Sequence, residues 1–321
     1  GLLFIDALAN TISPMTSAVQ LEAQVWSCLE RGDARAAIDA CERLNRENPD
    51  FASGWHTASQ LALRLGNPQM ALDAIRQALR IEADNTLWML QHARCLSRLG
   101  RSKELATVVQ DLVKRSLETA YENAGLGLLL TELGRRADAL QYYERAVRLE
   151  PGDARHRYNL ASLQRTLGDF MDAEESFDKA IELNPRDYEA WKLRSELRKQ
   201  TPADNHVAEL ESLLEAGIDD NKGVANICYA LAKELEDLGE AGKSFAYLER
   251  GAKARRRQMQ YDLQRDLDTV ATIRRVFSRE RLSDLGPGID NDEPIFVLGM
   301  PRTGTTLVER ILGCHSEVEA A

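Results

Sequence analysis

Apolar residues recur three and four positions apart over most of the chain, the spacing that lays a stripe along one side of a helix. The blocks are punctuated by Gly32, Gly66, Gly100, Gly134 and Gly168, each 34 residues after the last, at positions where a helix ends. Five residues after each glycine stand Ala37, Ala71, Leu105, Ala139 and Ala173, mostly small, as two closely crossing helices require. Twelve after it come Leu44, Ala78, Leu112, Ala146 and Ala180, and seventeen after it Pro49, Ala83, Leu117, Pro151 and Pro185, where proline opens the next connection. Near the C-terminus the pattern changes period. Ile295 to Leu298 is a short apolar run fenced by Pro294 and Gly299, which predicts a buried strand, and Leu307, Val308, Ile311 and Leu312 return to helical spacing before Gly313.

A 34-residue period with two helices per unit resembles the tetratricopeptide repeat, in which no pair of helices buries its apolar face alone and stacking makes the core. The third unit is the most worn, lacking both the small residue and the proline, and less regular packing is expected there. After Pro185 the register weakens. Tyr188 to Gln200 still reads as a first helix, with Trp191 where Trp55 stands in its own unit, but Thr201-Pro202 replaces the closing glycine. The next closing glycine, Gly239, lies 71 residues after Gly168, so a divergent unit with an insertion around Ala203 to Asn221 is expected. Cys228 to Gly239 and Ser244 to Gly251 form a last helix pair.

From Ala252 to Leu282 the stripe Tyr261, Leu263, Leu267, Val270, Ile273, Val276 and Phe277 predicts one long polar helix. Gly251 to Arg281 holds nine basic and four acidic residues, read either as a solvated face joining two domains or as a positive collar near an anionic cofactor. Gly286 to Glu293 is rich in helix breakers and marks the clearest domain boundary.

The stretch Pro294 to Leu312 carries the candidate chemistry. Strand, glycine-bearing loop and helix start build an anion site, because the free amides and positive dipole end of the first turn converge on one point. Gly299 and Gly304 have the spacing of a Walker A loop, but Thr305 stands where a nucleotide hydrolase carries lysine. The cation instead is Arg302, whose guanidinium fork pairs two oxygens of a phosphate or sulfate. Met300-Pro-Arg-Thr-Gly-Thr-Thr306 followed by Leu-Val-Glu-Arg-Ile-Leu resembles the 5′-phosphosulfate loop of sulfotransferases, most nearly the protein-tyrosine sulfotransferases and the bacterial enzymes with tetratricopeptide repeats in front.

That resemblance implies transfer of a sulfuryl group from 3′-phosphoadenosine 5′-phosphosulfate to a hydroxyl acceptor, protein tyrosine among the candidates, with no metal. It makes Arg302 the catalytic residue, and Arg302, Thr303, Gly304, Thr305 and Thr306 the cofactor-binding set. His315 follows the loop helix where related enzymes often have histidine and proline. Ser316 replaces the proline here, and His315 is read as loop-shaping or as a participant near the cofactor. Since the sequence stops at Ala321, the groups for the 3′-phosphate and adenine and the general base are expected beyond it, and this stretch alone is expected to be inactive.

The resulting fold is mostly α: a tetratricopeptide α-α superhelix followed by the first strand-loop-helix of a P-loop-like α/β domain. Residues 1–15 are read as a leader or non-native tail, 16–250 as the repeat domain, 251–289 as connecting helix and linker, and 290–321 as the start of the sulfotransferase domain. In repeats of this kind the first helix of each unit lines a groove for extended peptides. Here helical spacing puts Trp26, His56, Gln60, Arg94, Tyr121, Arg155, Tyr158, Arg165 and Lys192 along it, with Glu22, Glu189 and Glu196 as the acidic minority. Arginine and tyrosine suit an acidic peptide or protein partner. A repeat scaffold without catalysis is the alternative.

Net charge is −10 and the pI about 5.2, which argues against nucleic acid as a partner. No stretch of apolar residues is long enough to span a membrane. The five cysteines are scattered without a Cys-x-x-Cys, which indicates neither a disulfide framework nor a zinc site and suits a reducing cytoplasm. His56, His92, His156 and His206 show no metal-binding spacing among themselves and are read as surface or core residues.

Overall fold

The computed structural model describes residues 14–283, 291 and 293–319. The predicted leader lies outside the described residues up to position 13, as does most of the Gly286–Glu293 boundary. The repeat region is a run of helix pairs: α1 (Pro14–Glu30) and α2 (Ala34–Glu47), α3 (Ala52–Arg64) and α4 (Pro68–Ile81), α5 (Thr86–Arg98) and α6 (Ser102–Val113). It continues with α7 (Ala120–Glu132) and α8 (Arg136–Leu149), then α9 (Ala154–Leu167) and α10 (Phe170–Leu183). Among the described residues the backbone pairs as strand only in one antiparallel bridge, Thr201 with Asp204.

Local chemistry sets the helix ends. Asp33, Asn67, Asn85, Asp153, Asp187 and Asp220 cap helices by accepting from first-turn amides, and Thr119 forms a capping box with Glu122. At the other end Gly32, Gly66, Gly100, Gly134, Gly168 and Gly239 all take φ between 67° and 92°. The residue after each of them donates to the carbonyl five positions back, as Asp33 does to Cys28 (3.0 Å) and Glu240 to Leu235 (2.8 Å). This Schellman closure needs a residue without a Cβ penalty at positive φ. The residues five and twelve after the first five glycines are all buried, at 4% exposure or less. Leu105 and Leu112 of the third unit are among them, so its wear shortens α6 to 12 residues, against 14 in α4 and α8, without opening the core.

One apolar cluster runs unbroken from Ala52 to Leu163, and a second from Ala161 to Leu235. Tryptophans mark equivalent units: Trp55 Nε1 donates to the Pro49 carbonyl (2.8 Å) and Trp191 Nε1 to that of Pro185 (3.1 Å). The divergent region differs from its prediction. The first helix there, α11 (Tyr188–Ser195), stops five residues before Gln200, and α12 (Val207–Ala216) and α13 (Asn221–Asp237) follow. Pro202 lacks the amide a helix would need, so the chain folds back through the Thr201–Asp204 bridge. Fully buried Glu234 pins the insertion by accepting from Ser195 Oγ, the His206 amide (2.7 Å) and His206 Nδ1 (3.0 Å).

The last repeat helix, α14 (Ala241–Gln258), runs past Gly251 instead of ending there. Gly251 serves close packing, since a Cβ on it would lie 2.9 Å from Tyr229 Cε1. The single helix predicted to Leu282 is broken at Met259 to Asp262. The chain resumes as α15 (Leu263–Val276), capped by Asp262, and then α16 (Arg279–Ser283). Contacts divide the chain into a unit ending at Met259 and a unit starting at Gln260. In the second, the strand predicted at Ile295–Leu298 is not formed. A strand is held by ladder bonds to a neighbour, and no neighbouring strand is present among the described residues. The predicted helix is present as α17 (Thr305–Leu312).

The fit of α11 against α13 is testable at Gly223, where an added Cβ would lie 2.4 Å from Tyr188 Cδ2 and 2.7 Å from Ile218 Cγ2. Gly223→Ala should lower the urea midpoint of the repeat unit by an amount equivalent to about 1–3 kcal/mol, the usual cost of overpacking.

Candidate functional site

The loop before α17 is closed on itself. A Cβ at Gly299 would lie 2.5 Å from Thr303 Oγ1 and 2.9 Å from Thr305 Cγ2, so only glycine admits the turn. Thr303 donates twice to the Met300 carbonyl, through its amide (3.2 Å) and its hydroxyl (2.7 Å). The Thr303 amide assigned to an anion is therefore engaged within the loop, as is its hydroxyl. Arg302 sits at φ 66°, the one non-glycine residue with positive φ among the described residues, and is exposed. Backbone strain of this kind concentrates at functional sites.

Gly304 (φ 90°) is the N-cap of α17 and offers no side chain to its first turn, while its carbonyl accepts from Leu307 (3.0 Å) and Val308 (3.1 Å). The Thr305 and Thr306 amides begin α17 with no side chain capping them, and exposed Arg302 stands two residues before Gly304. His315 shapes the turn after α17, its Nδ1 accepting from the Glu317 amide (3.3 Å).

In the repeat unit, the side chains predicted for the groove are tied together across successive first helices. Glu22 on α1 accepts from Ser53 Oγ (2.7 Å) and Thr57 Oγ1 (2.6 Å) on α3. Trp26 lies under the guanidinium of Arg64, 5.0 Å away. His56 meets Gln60 (3.1 Å) and packs on Trp88 with ring centroids 4.2 Å apart. Arg94 on α5 donates to the Tyr121 hydroxyl and covers its ring at 5.0 Å. Tyr158 meets Phe177 edge-on at 5.9 Å.

Farther along, Glu196 pairs with Lys192 (2.6 Å) and Arg165 (3.8 Å), and Glu189 with Lys222 (2.9 Å). Each acidic member of the groove thus has a basic or hydroxyl partner. Arg155 is drawn away to Asp153, at the turn between α8 and α9.

Residues 23–161 and 130–197 match two family profiles, each described as Tetratricopeptide repeat, and residues 294–321 match the profile described as Sulfotransferase family. The chain carries tetratricopeptide repeats, and its residues 294–321 are similar to the sulfotransferase family. A protein of Aquifex aeolicus (strain VF5), described as uncharacterized, is 34% identical over 127 residues, 39% of this chain. The match spans only 17% of that relative's length.

Among solved structures, Pseudomonas aeruginosa PilF superposes with a TM-score of 0.51 at 16% identity, covering 73% of this chain and 98% of that one. The Cut9–Hcn1 hetero-tetramer of the APC/C gives 0.52 at 16%, covering 73% and 42%. A tetratricopeptide repeat protein of Parabacteroides merdae ATCC 43184 gives 0.50 at 18%, covering 77% and 95%. These likenesses establish the superhelical fold. No helix among the described residues is long and apolar enough to cross a membrane.

Several groups in the tetratricopeptide-repeat region escaped the sequence reading. Arg194, 5% exposed, bridges Asp178 (2.7 Å) and Glu209 (3.1 Å), and stacks on Trp191 at 4.6 Å. Arg198 joins Glu174 (3.0 Å) and Asp204 (2.7 Å). Their partners lie in other elements, and no spacing rule relates them. Four cysteines are buried and Cys314 is exposed; none is in a disulfide. Burial first, then the nearby Glu42 and Glu22, pushes the Cys41 thiol up to about 11.

Burial first, and then the charge of Arg94, pushes the His56 imidazole down to about 4. Between about 6.5 and 4 the unfolded chain therefore binds a proton that the folded chain does not, so His56 contributes stability above that window and loses it as pH falls through it. The urea midpoint should fall between pH 7 and pH 5, and His56→Asn should reduce that fall. An identical pH slope in the variant would remove His56 from the account.

Proposed function

We propose that the protein acts as a 3′-phosphoadenosine 5′-phosphosulfate-dependent sulfotransferase, with the loop from Gly299 to Thr306 cradling the 5′-phosphosulfate. The observation that carries this reading is the uncapped start of α17 beside Arg302, at a position where the lysine that grips a triphosphate is replaced by Thr305. Sulfuryl transfer, like phosphoryl transfer, asks the protein mainly for in-line positioning and charge neutralisation. In this reading the Thr305 and Thr306 amides and hydroxyls hold non-bridging oxygens. The Arg302 guanidinium stabilises the 5′-phosphate as the bridging oxygen takes up charge and leaves. The engagement of Thr303 by Met300 makes Thr303 a shaper of the loop in this scheme, with Thr305 and Thr306 as its donors.

The repeat groove, in the same reading, holds the acceptor protein, and its basic and aromatic members Arg94, Tyr121 and Arg165 suit an acidic segment that carries a hydroxyl acceptor such as tyrosine. The match to the repeats covers far more of the chain than the 28 residues matched to the sulfotransferase family, so a scaffold without catalysis is the second reading.

Calorimetry on the product of the complete open reading frame should detect adenosine 3′,5′-bisphosphate and not ATP. Binding of ATP alone would leave only the scaffold. In that protein Arg302→Ala should cost about 2.7–4 kcal/mol in the transition state, roughly 100- to 1000-fold in rate; activity within threefold of wild type would remove Arg302 from the mechanism. For the groove, Arg94→Glu should raise the acceptor KM while leaving kcat unchanged.

A further inference from the structure

The turn between α8 and α9 brings one imidazole nitrogen and two carboxylate oxygens within 4.8 Å of one another. Glu150 ends α8, Asp153 caps α9, and His156 is the third residue of α9, 6% exposed. His156 Nε2 stands 3.5 Å from Glu150 Oε2 and 3.9 Å from Asp153 Oδ2, longer than a good hydrogen bond in both cases. The Nδ1 atom of the same ring is buried without any hydrogen-bond partner. Nδ1 points away from the two carboxylates, so the atom that a ligand at this turn would satisfy is Nε2, which meets them only at these long distances. A depression of about 530 Å3, lined by Glu150, Gly152, Asp153, Ala154 and Arg155, opens over the turn.

The corresponding turn between α4 and α5 shows what these register positions do when the residue types differ. There Trp88 Nε1 donates to Glu82 Oε2 at 3.1 Å and Asn85 Nδ2 to the same oxygen at 2.9 Å, so the three side chains close directly on one another. At the α8–α9 turn the same positions hold imidazole and two carboxylates, and the three stay apart.

We propose that Glu150, Asp153 and His156 form a binding site for a divalent transition metal ion of the zinc type. Three ligand atoms bound to a tetrahedral zinc ion are about 3.4 Å apart; His156 Nε2 stands 3.5 Å and 3.9 Å from the two carboxylate oxygens, and all three atoms lie within 4.8 Å of one another, a spacing that side-chain rotation can close onto an ion. One imidazole nitrogen with two carboxylate oxygens is a set that borderline divalent ions accept, with water completing the coordination. The Arg155 guanidinium lies against the Asp153 carboxylate, its Nη2 2.5 Å from Oδ2. Arg155 also competes with the metal for Asp153, which it grips through Nε and Nη2. Its side chain is 84% exposed and is free to swing outward when an ion enters. Bound metal would lock the end of α8 to the start of α9, at the edge of the repeat that carries Tyr158 and Arg165.

The test uses the full 321-residue chain, freed of metal by chelator, in a Cys314→Ser background because Cys314 is exposed. Titration with Zn2+ followed by calorimetry, and with Co2+ followed by visible absorption, should each give one site per chain. Glu150→Gln and Asp153→Asn, the latter keeping an asparagine cap on α9, should each weaken binding by at least about tenfold, the loss that removing even an outer partner of a metal ligand causes. Arg155→Ala, which removes the competitor, should tighten it. A chain that takes up no Zn2+ in stoichiometric amount overturns the site, and so does uptake that Glu150→Gln and Asp153→Asn leave unchanged.

Discussion

Every helix pair in the repeat unit leaves an apolar face that only the next pair covers, and the rest of the molecule depends on that dependence. The close crossing is possible because Ala37, Ala71, Ala139 and Ala173 are small and completely buried. Glycine at positive φ ends the first helix of each of these pairs at the same residue of every period, which fixes where the second helix starts and keeps the stack in register. The unit that departs from this rule, at Thr201-Pro202, replaces the glycine closure with a different device: a buried carboxylate, Glu234, that gathers Ser195 and His206 around it.

The groove inherits its electrostatics from the stacking. Glu189 and Glu196 are paired with lysines on another helix or one turn away, and Glu22 accepts from two hydroxyls, so each acidic group of the groove is engaged by a neighbour. Arg94 stacked on Tyr121 is held in place by packing as well as by charge, which reduces the side-chain entropy lost when a partner binds. The loop before α17 works on another principle. The direction of the main-chain amides at the start of α17 is set by φ at Arg302 and Gly304, and the loop closes through Thr303 on Met300.

The two regions were therefore legible in the sequence to different degrees. Helix ends, the 34-residue period, the buried small positions and the glycine-threonine loop were readable because each rests on interactions within a few residues: caps, Schellman bonds and a tight turn. The run Ile295–Leu298 was readable as apolar but not as a strand, since strand pairing is a property of two segments. The break at Met259–Asp262 was missed because the apolar stripe read for that helix begins only at Tyr261 and says nothing of the residues before it. The cluster at Glu150, Asp153 and His156 is local yet was missed, because spacing among histidines alone says nothing of carboxylates on a neighbouring helix end.

By itself, then, the sequence determined the repeat helices, the ends closed by glycine and the glycine-threonine loop before α17, since all of this is decided by short-range sterics and hydrogen bonding. Only the tertiary structure decided which side chains meet. Ser53 with Glu22, Arg94 with Tyr121 and Ser195 with Glu234 are 31, 27 and 39 residues apart, and the superhelix brings them together by stacking helices whose separation in the chain no local periodicity encodes.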